Sequence, residues 1–140
     1  MKIIIFLFLL VAYNLNAQEK KSFHAMEVIV ESEEDIEMGA WQAELMFDSS
    51  KVKITGIEGG DKPFENPADY DSKGMAKGKL ILASFTLKKA AAGKKFKVGV
   101  IHFYGDRKDI EKCRLKLVVA ADSKGKKVKA QIFLRSIKSK

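Results

Sequence analysis

The sequence predicts an all-β antiparallel sandwich, and three observations carry that prediction. Short runs in which apolar and polar residues alternate recur along most of the chain, which is the period-two pattern of half-buried strands. Turn-forming residues punctuate these runs at fairly even spacing. No stretch of useful length shows the 3.6-residue period of a helix. With 140 residues, the chain makes one domain that buries enough surface to fold without a disulfide or a structural metal.

At the start, Met1 and Lys2 precede an apolar run from Ile3 to Tyr13, followed by Asn14, Leu15, Asn16 and Ala17. A basic start, a short apolar stretch and a small residue before a polar segment make residues 1–17 a secretory signal peptide, cut after Ala17. The run falls short of the roughly 20 residues that cross a bilayer. The expectation is a secreted or periplasmic protein with no transmembrane segment after cleavage. Residues 18–22 form a polar leader, residues 23–135 the folded domain and residues 136–140 a frayed basic tail.

Phe23 to Glu31 is the first strand, with Met26, Val28 and Val30 on one face. Glu33, Glu34, Asp35 and Glu37 read as an acidic, solvated turn. In the second strand Trp41, Ala43, Leu45 and Phe47 share a face while Gln42 and Glu44 take the other. Asp48, Ser49 and Ser50 turn the chain into a third strand marked by Val52, Ile54 and Ile57 and closed by Gly59 and Gly60. From Gly59 to Gly78 runs the longest irregular stretch, holding both prolines, Pro63 and Pro67; such loops often carry function. Lys79 to Leu87 is almost continuously apolar and reads as a central strand. Phe96 to Tyr104 follows, with a bulge expected near Gly99. Lys112 to Ala121 and Lys127 to Arg135 form a last hairpin across Asp122, Ser123, Lys124 and Gly125. The expected core is Trp41, Leu45, Phe47, Ile54, Leu82, Phe85, Val98 and Val119.

The formal net charge is +8, but the charged residues before Lys73 are mostly acidic and those from Lys73 onward mostly basic. Either one face serves a polyanionic partner, or strands of opposite charge interleave in space. Export argues against nucleic acid as a partner. Cys113 is the single cysteine, which excludes an intramolecular disulfide and suits a small, partly buried hydrophobe.

Catalysis needs a nucleophile beside a base, a carboxylate pair or a metal. His24 and His102 are the only histidines, both in predicted strands, and neither a G-x-S-x-G nor an H-E-x-x-H motif accompanies them. The chain is not expected to be an enzyme, and no catalytic or metal-ligating residue is assigned. Asp69, Asp71 and Gly74 match positions one, three and six of an EF-hand loop, but Lys73 and Leu80 occupy positions five and twelve. Calcium is left only a different oxygen cage, drawing on Asp61 and Glu65. Sugar binding needs exposed rings, and parity puts Trp41 in the core. Phe64, Tyr70 and Tyr104 are the remaining rings; with Asp61, Glu65, Asp69 and Asp71 they are the candidate rim of a ligand site. The competing reading is that each ring pins the loop to the sandwich.

The segment GAWQAELMFDSSKVKITGIEGGD, the LILASF strand, the strand from Lys97 to Phe103 and the AADSKGKKV hairpin together resemble the cohesin domain, in its short single-domain bacterial type. The resemblance covers roughly residues 23–135. It implies a jelly-roll topology of about nine strands, an architecture shared with a group of cellulose-binding modules. The residue pattern itself gives seven strands, so the other two would lie in the acidic turn and the long loop. The resemblance further implies no cofactor, no catalytic residue, and a secreted or cell-surface protein partner held on a sheet face. Polysaccharide binding, and an accessory part in a glycan-degrading system, are the alternatives.

Overall fold

The computed structural model describes residues 20–89 and 92–137; the expected signal peptide and the last three residues of the tail lie outside them. Eight strands are present: β1 (Ser22–Ile36), β2 (Met38–Met46), β3 (Lys53–Gly59), β4 (Asp69–Tyr70), β5 (Lys79–Phe85), β6 (Gly93–Gly105), β7 (Arg114–Asp122) and β8 (Ala130–Ser136). Two single-turn helices, α1 (Ser72–Met75) and α2 (Arg107–Ile110), accompany them. The strands form two antiparallel sheets, ordered β3-β6-β1-β8 and β4-β5-β2-β7. Their inner faces share one core: Val28, Val30, Val98, Ile101 and Phe103 from the first sheet meet Trp41, Leu45, Leu80 and Leu82 from the second. The chain is thus all-β and sandwich-like, with eight described strands rather than nine.

The acidic run is not a turn. β1 continues through Glu33, Glu34 and Asp35 to Ile36, and the Glu33 N–H donates to the Lys129 carbonyl at 3.2 Å. Its carboxylates project into solvent from a strand end, so polarity marked exposure without marking loss of β structure. The long loop likewise contains structure. β4 pairs Asp69 with Ala83 and Tyr70 with Leu82, and Asp71 caps α1 by accepting from the Lys73 N–H at 3.0 Å. At the loop's base, a Cβ on Gly59 or Gly60 would overlap the carbonyl oxygens of Glu65 or Lys97. Only glycine permits that backbone approach.

β-Bulges decide which side chains face inward. Ile29 pairs with Lys97 immediately after Val28 pairs with Gly99, so Val98 is an extra residue in β6, beside the expected bulge position. A second bulge was not anticipated. Gln42 pairs with Val119 and Ala43 with Leu117, leaving Val118 extra in β7. It turns Leu115, Leu117 and Ala120 toward the core and Val119 to the outer face, which corrects the assignment of Val119 to the core. Phe85 is corrected too: Leu80 and Leu82 point inward at 0% and 1% exposure, whereas Phe85, of opposite parity, is 71% exposed. The other expected core residues are buried or packed against the core.

β5 is not central, since it has β2 on one side and only the two residues of β4 on the other. The last turn forms around Asp122, whose Oδ1 accepts from the N–H groups of Lys124 and Lys126, each at 2.9 Å. Gly125 closes it at φ +80°. The strands it joins then part, β7 entering one sheet and β8 the other.

Candidate functional site

The outer faces of the two sheets differ in kind. On the first, carboxylates of β1 stand between cations of the strands beside it. Arg135 reaches Glu27 at 2.7 Å, Lys95 reaches Glu31 at 3.8 Å, and Lys97 lies 4.0 Å from Glu27 and 2.9 Å from Asp61. The hydrogen bond from Lys97 to Asp61 holds the ammonium above the usual lysine range. Beneath these long side chains Ile29 and Val100 face outward yet are buried, at 1% and 8% exposure. Lysine and arginine stems cover apolar surface while their heads stay in water. The acidic and basic halves of the sequence therefore interleave on this face.

The outer face of β5, β2 and β7 lacks such cover at one end. Glu44 and Lys79 pair at 3.3 Å near the start of β5. Further along, Ala40, Ala83, Phe85, Val119 and Ala121 line a shallow depression of about 210 Å³, with Gln42 and Asp69 at its border. Val118, the bulged residue, is 44% exposed. The bulge at Gln42 and the parity of β5 create this field, because they turn Val119 and Phe85 outward. Both residues were expected in the core. Strict alternation counted from Leu80 identifies Phe85 in the sequence, whereas no local signal marks the bulge that exposes Val119.

The seven rim candidates do not converge. Asp61 is held by Lys97 on the first sheet, and Glu65 accepts from Lys88 Nζ at 2.7 Å, which lowers its pKa. Phe64 is 2% exposed and belongs to the core, as a loop anchor does. Asp69 and Tyr70 form the β4 edge, and Asp71 caps α1. Tyr104 belongs to β6 of the first sheet, its ring centroid 4.9 Å from that of Phe23 and tilted by 48°.

Among the described residues, no three His, Cys, Asp or Glu side chains come together as a metal site. His24 Nε2 lies 2.9 Å from the Ser22 hydroxyl, a contact within one exposed strand end. His102 Nε2 is 3.3 Å from a Glu58 carboxylate oxygen but is not aligned for a hydrogen bond. Burial and the nearby Asp109 push the Cys113 thiol up to about 11, so it is protonated and unreactive at neutral pH. A second concavity, of about 480 Å³, separates the acidic end of β1 from the lysines of the β7–β8 turn. Ser123 bridges its walls, its N–H donating to the Glu37 carbonyl at 2.7 Å and its hydroxyl to the Glu37 carboxylate at 3.1 Å. No helix among the described residues is long and apolar enough to cross a membrane.

No protein-family model, curated protein or solved structure matches the chain.

Proposed function

We propose that the protein is an exported, non-catalytic binding module that holds another protein on the outer face of β5, β2 and β7. A cohesin-like jelly roll is part of the same reading. Two sheets of four strands, and an exposed field on one of them, are compatible with it. The observation that carries the proposal is the asymmetry of the outer faces. Across the middle of the first sheet ion pairs join the outward charges and cover Ile29 and Val100, leaving only Phe23 open at its end, whereas the second leaves Ala40, Ala83, Phe85, Val119 and Ala121 without a charged canopy. A contiguous apolar field rimmed by polar residues is the usual form of a protein-docking surface.

Capture from the native secretome on immobilised protein tests this, comparing the wild type with Val119→Glu and with Lys95→Ala on the opposite sheet. A defined polypeptide should bind the wild type and Lys95→Ala, persist in about 1 M salt, where screening falls to roughly 3 Å, and resist soluble glycans. Val119→Glu should lose it while remaining folded by circular dichroism. Equal capture by Val119→Glu would overturn the assignment of this face.

Polysaccharide binding is the second reading, favoured by the Phe23 and Tyr104 rings side by side on the first sheet. Their tilt lets a flat sugar face stack on only one of them, which is why it ranks second. A glycan array with saturable signal lost in Tyr104→Ala would favour it, and a blank array would remove it.

A further inference from the structure

We propose that the open edge of β8 takes up an extended segment of another protein as a further antiparallel strand of the first sheet, with apolar side chains turned inward and acidic ones outward. This goes beyond the binding face, since it uses the backbone edge of the other sheet.

Two hydrogen bonds fix which backbone groups are free. The Glu33 N–H donates to the Lys129 carbonyl at 3.2 Å and the Ile137 N–H to the Ala25 carbonyl at 3.5 Å, so odd-numbered residues of β8 turn their polar groups toward β1. The register between these points runs without a bulge. Even-numbered residues face the other way. Near the turn that side finds a partner, where the Val128 N–H donates to the Ala120 carbonyl at 3.0 Å. Beyond it β7 and β8 part, and the N–H and C=O groups of Ala130, Ile132 and Leu134 have no backbone partner among the described residues. An unpaired strand edge is a template for another strand.

This edge opens onto apolar ground. Met26, Ile110, Cys113, Leu115, Ile132 and Leu134 line a groove of about 360 Å³ between β8 and the start of β7. A second concavity, of about 420 Å³, shares Met26, Ile110 and Glu111 with it and carries the groove on to Ser136 and Ile137. An antiparallel strand bonded to Ala130, Ile132 and Leu134 sets its own bonded residues opposite them, with side chains on the same face. Ile132 and Leu134 pack toward the core, so every second side chain of the added strand enters the groove. An extended backbone is also what satisfies a row of open N–H and C=O groups.

Charge identifies the occupant. The outward row of β8 is Lys129, Gln131, Phe133 and Arg135. Lys129 is exposed and its ammonium forms no ion pair among the described residues, and Arg135 stays half exposed beside Glu27. A second copy of this edge, turned about a two-fold axis at Ile132, would set Lys129 against Arg135 twice. Like charges directly opposite one another destabilise a sheet. A foreign strand with carboxylates at those positions meets both cations with the opposite sign.

Amide hydrogen exchange read by nuclear magnetic resonance tests this, with an end-blocked peptide of four Glu-Val repeats as the probe. In the free protein the Gln131, Phe133 and Arg135 amides should exchange slowly and those of Ile132 and Leu134 quickly. Peptide at about ten times its dissociation constant should slow Ile132 and Leu134 about tenfold. N-methylation of the valines removes the N–H groups that face β8 and should weaken binding at least about tenfold, whereas N-methylation of the glutamates, whose N–H groups face away, should leave it nearly unchanged. Lys129→Glu should weaken binding about fivefold, and Lys77→Glu, an equal change of net charge in the turn before β5, should not. Absence of binding at about 5 mM peptide overturns the proposal. So does equal loss with either methylation pattern, or protection that misses Ile132 and Leu134. Tighter binding of a Lys-Val peptide overturns the acidic occupant. Val119→Glu, which tests the binding face, should leave peptide binding unchanged, so the two proposals fail separately.

Discussion

Arg135 and Glu27, 108 positions apart in the sequence, form a forked pair in which the guanidinium Nε and Nη2 both reach the same carboxylate oxygen at 2.7 Å. β8 and β1 are neighbours, and Lys97 approaches Glu27 from the other side at 4.0 Å. The Glu27 side chain is only 19% exposed while that of Arg135 is 49% exposed, so the carboxylate depends on its cations more than they depend on it. Arg135→Met should lower unfolding stability by about 1 kcal/mol in urea titrations. The loss should shrink toward zero in about 1 M salt. An effect independent of salt would mean that the arginine acts through its packed stem.

Phe85, outward on the second sheet and 71% exposed, should be dispensable for stability. Phe85→Ala is expected to change unfolding free energy by less than about 0.5 kcal/mol, as for surface changes generally. Leu82→Ala, three positions earlier but 1% exposed, should cost about 3 kcal/mol through lost burial and a cavity. Chemical denaturation of both variants checks the parity assigned to β5.

Gly60→Ala should be among the most damaging small changes. Its Cβ would overlap the Lys97 carbonyl, and its N–H donates to the Phe64 carbonyl at 2.7 Å, so backbone must move. A loss of more than about 2 kcal/mol is expected. At Gly125 nothing lies within 4 Å of the new Cβ, and only the positive φ of +80° is strained. Gly125→Ala should cost about 1 kcal/mol. Thermal melts of the pair separate steric from conformational cost.

Lys97 predicts a loss of stability in alkali. Its folded-state pKa lies above the usual value because Asp61 accepts its proton in a hydrogen bond, with attraction from Asp61 and Glu27 added. The stabilisation is fully present below the unfolded-state pKa, about 10.4, and disappears as pH rises through the higher folded value. Comparing Lys97→Met with the wild type, the stability difference should narrow as pH rises past about 10.

Cys113 should resist alkylation. With the thiol near 11, its thiolate fraction at pH 8 is about 100-fold below that of an ordinary cysteine. Iodoacetamide labelling, read by mass spectrometry, should be correspondingly slow in the folded protein and fast in urea. Rapid labelling of the folded protein would contradict the packing around it.

Strand existence was legible because period-two alternation is local: Trp41, Ala43 and Leu45 declare their face within five residues, and the DSS turn after Phe47 sets off β3. Register was not legible in the same way. The bulge at Val118 exists because β7 and β2 adjust to one another across the sheet, and nothing within VVAAD foretells which valine is displaced. The site suffered for the same reason. Asp61, Phe64, Glu65 and Asp71 sit close in sequence, but the glycines at the base of their loop send Asp61 toward Lys97 while Phe64 turns into the core. Nearness along a chain with several turns says little about which surface a side chain joins. The charge asymmetry misleads similarly, since it becomes a lattice once β1 lies between β6 and β8.

That placement of β1 also governs when the first sheet can exist. β1, whose described span opens at Ser22, finds its two hydrogen-bonded neighbours only in residues 93–105 and 130–136. Its contacts therefore span much of the chain, a high contact order that favours slow folding, on the millisecond-to-second scale of β sandwiches. As the chain emerges from a ribosome or translocation pore, β1 must wait unpaired until β6 appears, and its sheet is completed only when β8 arrives. The protein should therefore reach its native state late, after nearly all of its length is free, and its unpaired first strand is the segment a chaperone would need to shield meanwhile.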